Sequence, residues 1–206
     1  MTAGIELERE WLQRGVQAVG LDEAGRGCWA GPVTAAAVRL GRRVLARPEL
    51  LDGVDDSKQL TAVQRAAAAQ RIRLNVDDLG IGIVPAFVID AYGIVPATRL
   101  AMTLALLSLR QPAEHLLIDA LPLPELPIAQ TVLIRGDAQV LSIAAASILA
   151  KTVRDGLMTT ADAAYPGYAF GLHKGYGTAA HQAALQRFGP CRLHRLTFRP
   201  LLDLQL

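Results

Sequence analysis

The stretch Val16-Gln17-Ala18-Val19-Gly20-Leu21-Asp22-Glu23-Ala24-Gly25-Arg26-Gly27 decides how the rest of the chain is read. Val16 to Leu21 is a short apolar run that ends on an acid, which predicts a buried strand closing at Asp22. Gly25, Gly27 and Gly31-Pro32 mark a tight connection. Val33 to Leu40 then predicts a second strand, the partner of the first in a hairpin-like pair. Gly41 to Asp56 reads as a polar, irregular loop. Thr61 suits the N-cap of a helix running to about Leu74 through the alanines at 66–69. Leu79 to Val84 alternates Gly with Ile or Val, the pattern of a strand laid against closely packed backbone. Pro96 opens a helix that reaches Arg110, where Pro112 stops it. Leu116 to Ile118 and Thr131 to Ile134 predict two more strands. Ser142 to about Met158 and Thr178 to Phe188 predict two more helices. Strands alternating with helices predict an α/β domain built on a mixed sheet.

The acids fall in a pattern. Asp22 and Asp119 each follow a short apolar run, Asp137 comes shortly after a third, and Glu23 directly follows Asp22. Reactive groups gather at strand ends in open α/β sheets. Converging carboxylates repel one another and need a cation or shared protons. Oxygen ligands without His or Cys favour Mg²⁺ or Mn²⁺ over zinc. Two such ions about 4 Å apart hold an attacking water and a leaving oxygen in line during phosphodiester hydrolysis. Adjacent strand residues point to opposite faces, so Asp22 and Glu23 are expected to share a site only if the strand ends or bulges there. Turn or surface acids are the plainer alternative, and spacing alone leaves both open.

Composition narrows the class. Half of the 206 residues are apolar and the net charge is only +2, which excludes a polycationic DNA-packing protein and predicts a packed core. From Gly171 onward Lys174, Arg187, Arg192, Arg195 and Arg199 face Asp203 alone, a balance suited to phosphates or to a solvated surface. Cys28 and Cys191 lack zinc or disulfide-framework spacing. The charged segment at 1–15 lacks a signal-peptide apolar core, and Val140 to Ala150 is shorter than the roughly 18 apolar residues a span needs. The expectation is a soluble, cytoplasmic monomer with no membrane partner.

Longer motifs carry a resemblance. Gly20-Leu21-Asp22-Glu23-Ala24-Gly25-Arg26-Gly27 with Ala30-Gly31-Pro32-Val33 resembles the signature of type 2 ribonuclease H, ribonuclease HII. Asp56-Ser57-Lys58-Gln59-Leu60, Leu117-Ile118-Asp119, Gly136-Asp137, the helix from Ser142 to Lys151 with Arg154-Asp155, and His173-Lys174-Gly175-Tyr176-Gly177-Thr178 with His181 follow in the family's order. His194-Arg195 with Phe198 resembles its tail, so the likeness runs from about Val19 to Phe198.

The resemblance implies a ribonuclease H-like mixed sheet flanked by helices, at 1–165, with a small helical C-terminal extension, at 166–206, that contacts substrate. It implies endonucleolytic hydrolysis 5′ to a ribonucleotide in RNA/DNA hybrids or in DNA duplex containing ribonucleotides, with Mg²⁺ or Mn²⁺, leaving a 3′-hydroxyl and a 5′-phosphate. Asp22, Glu23, Asp119 and Asp137 match the metal-binding catalytic acids. Only the 2′-hydroxyl separates ribo- from deoxyribonucleotide at a given sugar. Gly25, Arg26 and Gly27 match the turn that reads it, because glycines allow close backbone approach. Tyr176 matches the tyrosine that packs on the junction sugar. Ser57, Lys58, Lys151 and Lys174 are candidate phosphate contacts. Arg154 and Asp155 are read together as a structural or capping interaction. Gly93 stands where the family often has Asn, and Cys28-Trp29 stands where small residues or Pro are common, so Trp29 either flanks a groove or packs. A ribonuclease H-fold nuclease with another nucleic-acid target and a non-catalytic binding module are the competing readings.

Overall fold

The computed structural model describes residues 3–54, 57 and 60–205. Five strands, β1 (Ala18–Ala24), β2 (Val33–Arg39), β3 (Asp78–Val84), β4 (His115–Asp119) and β5 (Ala129–Leu133), form one sheet in the order β3-β2-β1-β4-β5. β1, β2 and β3 pair antiparallel, while β4 runs parallel to β1 and β5 parallel to β4. Among the described residues the helices are α1 (Glu6–Gln13), α2 (Gly41–Ala46), α3 (Ala62–Asn75), α4 (Ala86–Tyr92), α5 (Ile94–Leu107), α6 (Leu141–Ala164), α7 (Phe170–His173) and α8 (Ala179–Phe188). This is the α/β mixed sheet that the alternation of elements predicts.

Alternation along the strands divides the core between two faces. Val19, Leu21, Val33, Ala35 and Ala37 pack with Ala97, Ala101 and Met102 of α5. Ala36 and Val38 pack on the other face with Ala144, Ala145 and Ile148 of α6 and Ile72 of α3. Small residues let helix backbone approach the sheet closely. A Cβ at Gly80 or Gly82 would stand 2.0 or 1.9 Å from the carbonyl oxygens of Ala105 and Ala101 in α5, which explains the Gly alternation of β3. On the opposite face a Cβ at Gly20 would meet the Ser142 backbone of α6 at 2.3 Å.

Thr61 caps α3 as its sequence predicts, in a reciprocal capping box with Gln64. α6 begins differently. Its N-cap residue, Val140, has no side-chain cap, and Glu8 of α1 reaches across to accept the Ser142 N–H at 2.8 Å. Three features depart from the sequence reading. The span 41–56 is not wholly irregular, since α2 and a 3₁₀ turn, Pro48–Leu51, occupy part of it. The helix expected to start at Pro96 starts at Ile94, and α4 precedes it across Gly93. The strand expected to close at Asp22 continues to Ala24, held by regular pairing of Asp22 with Ala36 and Glu23 with Ala35. No helix among the described residues is long and apolar enough to cross a membrane.

Candidate active site

β1 outruns β4. The pair ends at Leu21 and Ile118, whereas β1 keeps β2 as its partner through Ala24. Beyond Leu21 one edge of β1 is therefore open, and a cavity of about 380 Å³ lies there. Asp22 and Glu23 obey strand alternation, yet both line this notch, and Asp119 reaches it from the end of β4. The strand neither ends nor bulges at Asp22, although the sequence reading requires one or the other for a shared site; an open strand edge serves instead.

Asp22 is buried and accepts the Glu23 N–H at 2.7 Å. Ser147, on α6, lines the same cavity, and its hydroxyl counts among the groups that oppose the upward shift of Asp22. The Ser147 and Ser57 hydroxyls stand 2.9 Å apart and share a hydrogen bond. Burial first, then the charge of Glu23, holds the Asp22 carboxyl well above the usual range, and Asp119 adds to it. Burial raises Glu23 as well, against the pull of Arg26, whose guanidinium lies 3.4 Å from Glu23 Oε1. Glu23 Oε2 is buried without a hydrogen-bond partner. Asp119 Oδ1 accepts the Gly136 N–H at 2.7 Å.

The other expected site residues divide. Gly25, Arg26, Ser57, Lys151 and Tyr176 line the same cavity. Lys151 is tied to Asp155 at 2.9 Å, and its ammonium lies 5.2 Å from the centre of the Tyr176 ring, which is 42% exposed. Asp137 does not line the cavity. It is buried on the 3₁₀ turn Gly136–Ala138, whose first N–H is the one that Asp119 accepts. Among the described residues no three His, Cys, Asp or Glu side chains are grouped so as to hold a metal ion. Lys174 is not among the lining residues; its ammonium meets the Thr159 hydroxyl and the Gly171 carbonyl. The backbone of Lys174 is left-handed, with φ 52°. Lys58 lies outside the described residues. Arg65, also in the cavity wall, escaped the sequence reading, as did the site role of Ser147. Arg65 donates to the carbonyls of Ser57 and Leu60 and pairs with Asp155 at 3.6 Å. On α3 it looks like one more charge on a polar helix, and no local pattern marks it.

Two buried arginines hold the turn after β1. Arg154 does not pair with Asp155. Its guanidinium donates to the carbonyls of Ala30, Pro32 and Lys174 at 2.9–3.0 Å. Arg195 donates to the carbonyls of Gly25, Arg26 and Gly31 at 2.7–3.1 Å. Gly25 is required by its φ of 96° and because a Cβ would meet Arg154 at 2.0 Å. Gly27 differs, since a Cβ there would meet nothing within 4 Å. Trp29 packs: the ring stands over Gly177 and 5.5 Å from the His181 ring.

Comparison with known proteins agrees with this architecture. A family model described as Ribonuclease HII matches residues 19–200. A Ribonuclease HII of Chloroflexus aggregans is 58% identical over 205 residues, covering 99% of this chain and 97% of the relative. The fold is shared with the ribonuclease H2 of Pyrococcus horikoshii OT3, with a TM-score of 0.76 and 23% identity over 92% of this chain and 97% of that one. It is shared also with Bst-RNase HIII, solved in complex with Mn²⁺, with a TM-score of 0.67 and 20% identity over 91% of this chain and 68% of that one. By the match along its length and by its fold, this chain belongs to the ribonuclease HII family and is a ribonuclease H, a nuclease of the hydrolase class.

Proposed function

We propose that this ribonuclease H cuts 5′ to a ribonucleotide, in RNA/DNA hybrids and in DNA duplex carrying embedded ribonucleotides, and leaves a 3′-hydroxyl and a 5′-phosphate. The observation that carries the reading is the convergence of Asp22, Glu23 and Asp119 on one cavity that Gly25, Arg26 and Tyr176 also line. Acids that cut and groups that read a sugar then share one space.

The carboxylates fit divalent ions, Mg²⁺ or Mn²⁺, on their own chemistry. All the donors are oxygens, Glu23 Oε2 is buried with no partner, and the Asp22 carboxyl is driven upward by burial first and then by its acidic neighbours. Two bound ions supply positive charge for the scissile phosphate and an activated water. Asp22, the most enclosed of the three, would hold metal together with Glu23 and Asp119. Asp137 is assigned with them on the family resemblance, and the Gly136 hydrogen bond joins its turn to Asp119.

The remaining wall chooses the position of the cut. Arg195 takes the carbonyls of Gly25 and Arg26, so the planar trans peptides turn the N–H groups of Arg26 and Gly27 away from Arg195. Those N–H groups are donors for a 2′-hydroxyl, and the open space over Gly27 admits the sugar. Tyr176 packs its exposed face on the next sugar, where an extra hydroxyl obstructs contact. Lys151, Ser57 and Lys58 meet phosphates. The segment 166–206, which carries Tyr176 and Arg195, serves as a substrate-contacting extension on a catalytic domain at 1–165, and one chain supplies the whole cavity.

A DNA duplex with one embedded ribonucleotide, incubated with Mg²⁺ or Mn²⁺, tests the reading. A single cut 5′ to the ribonucleotide is expected. Equal cutting of all-DNA duplex, or no cutting with either ion, overturns it.

A further inference from the structure

His173, His181 and His194 are buried, and they lie together between the turn that carries Tyr176 and the tail. Hydrogen-bond geometry assigns a proton to one nitrogen of each ring. His194 Nδ1 stands 2.8 Å from the Cys191 backbone N–H. The Cys191 carbonyl oxygen lies farther from Nδ1, at 3.3 Å, so the shorter contact decides: a backbone N–H only donates, Nδ1 accepts, and the neutral ring carries its proton on Nε2. His194 Nε2 lies 3.0 Å from His181 Nε2, which must then accept. His181 is left protonated on Nδ1, and Nδ1 lies 2.9 Å from the Tyr176 carbonyl oxygen. The chain of donation runs one way, from the Cys191 N–H through two imidazoles to the Tyr176 backbone. His173 is held separately: it accepts the Gly175 N–H at 3.1 Å, donates to the Tyr168 carbonyl at 2.7 Å, and stacks on His181 at 4.3 Å.

We propose that His181 and His194 are positioning residues for Tyr176, a neutral two-imidazole relay that fixes the backbone of this tyrosine from the C-terminal tail and thereby sets selectivity for the ribonucleotide junction. The selectivity part rests on the reading of Tyr176 given above. The relay part rests on the hydrogen bonds alone. Three features support it. Tyr176 is 42% exposed and its ring meets Lys151 and Arg154 only at 5.2 and 5.9 Å, so its placement leans on its backbone. That backbone is pinned from several sides, by its own N–H donating to the His173 carbonyl at 2.9 Å and by the Thr178 N–H and His181 donating to its carbonyl, both at 2.9 Å. Burial also lowers the pKa of both rings, His194 to about 4, which keeps the relay neutral.

The test compares kcat/KM on a single-ribonucleotide duplex with that on a long RNA/DNA hybrid. In His181→Ala the ratio of the two is expected to fall about tenfold, the scale of one lost buried hydrogen bond. His181→Asn, whose amide N–H replaces the Nδ1 donor, restores most of the ratio. In a Tyr176→Ala background the His181 substitution lowers the ratio no further. An equal loss on both substrates, or a full second loss in the Tyr176→Ala background, overturns the positioning role. Long-range ¹H–¹⁵N spectra of the wild-type chain read the tautomers without any substrate. Protonation of His194 on Nε2 and of His181 on Nδ1 is expected, and His181 protonated on Nε2 overturns the relay. A Tyr176→Ala ratio equal to wild type, with the expected tautomers present, places the failure in the reading of Tyr176.

Discussion

The acids at the end of β1 and the arginines behind the following turn both bury charge, and they resolve it in opposite ways. Arg154 and Arg195 are fully buried, yet each guanidinium is met by backbone carbonyls at hydrogen-bond distance. Asp22 and Glu23 are pressed together with Asp119, raised in pKa by burial and each other's company, with Glu23 Oε2 left without a partner. A satisfied buried charge is structure, because moving it breaks bonds already made. An unsatisfied cluster of like charge costs stability unless something of opposite sign arrives. The contrast separates the part of the molecule that holds from the part that binds.

The sharpest way to break the comparison is Asp22→Asn. Its single-turnover cleavage rate is expected to fall about a thousandfold, the scale of removing one preorganised electrostatic contact. The melting temperature of the metal-free chain is expected to rise at the same time, because a buried like charge is removed. Turnover near wild type, or a lower melting temperature, would contradict the distinction between the two regions. Arg195→Lys probes the other side. It keeps the charge and loses the planar fork, and should cost about 3 kcal/mol in denaturant unfolding as carbonyls lose their donors. A loss under about 1 kcal/mol would show that the fork is not what holds the turn.

Divalent ions sharpen the contrast further. At about a hundred times its Kd, Mg²⁺ or Mn²⁺ should stabilise the wild-type chain by about 2.7 kcal/mol, and a chelator should reverse the gain. Asp22→Asn should lose most of that response and Arg195→Lys should keep it, as read by thermal melts with and without ion. The smallest effect is in pH. His194 has a folded pKa of about 4 against an ordinary 6.5, so the unfolded chain binds the extra proton between those values. Its contribution is complete above pH 6.5 and is lost as pH falls towards 4. A His194→Gln chain should show a flatter melting profile across that window, and an unchanged slope would remove His194 as its source.

Much of the site was legible locally. Apolar runs ending in acids placed Asp22 and Asp119 near strand ends, because a buried strand must shed its apolar pattern where it meets water. Glycine alternation in β3 announced the close approach of α5. The Gly25-Arg26-Gly27 turn and Tyr176 needed the longer motif, since a single GxG or a single tyrosine has many uses. That Lys174 bonds Thr159 and Gly171 was not legible, because its motif says nothing about partners brought alongside by the fold. Arg65 and Ser147 were invisible as wall residues because they come from α3 and α6 and meet the acids only after both helices pack.

By itself the sequence determined the five strands and the four longer helices, the acids and the membership in a nuclease family, because these depend on periodicity and on residues close along the chain. Tertiary structure decided how Asp22 and Glu23 share a cavity without a bulge: β4 stops at Asp119 while β1 continues beside β2. It also decided that Arg154, Arg195 and the histidines face inward, since their partners are carbonyls and rings distant in sequence. A side chain's charge is written in its own codon, but whether that charge is answered depends on what the fold brings alongside it.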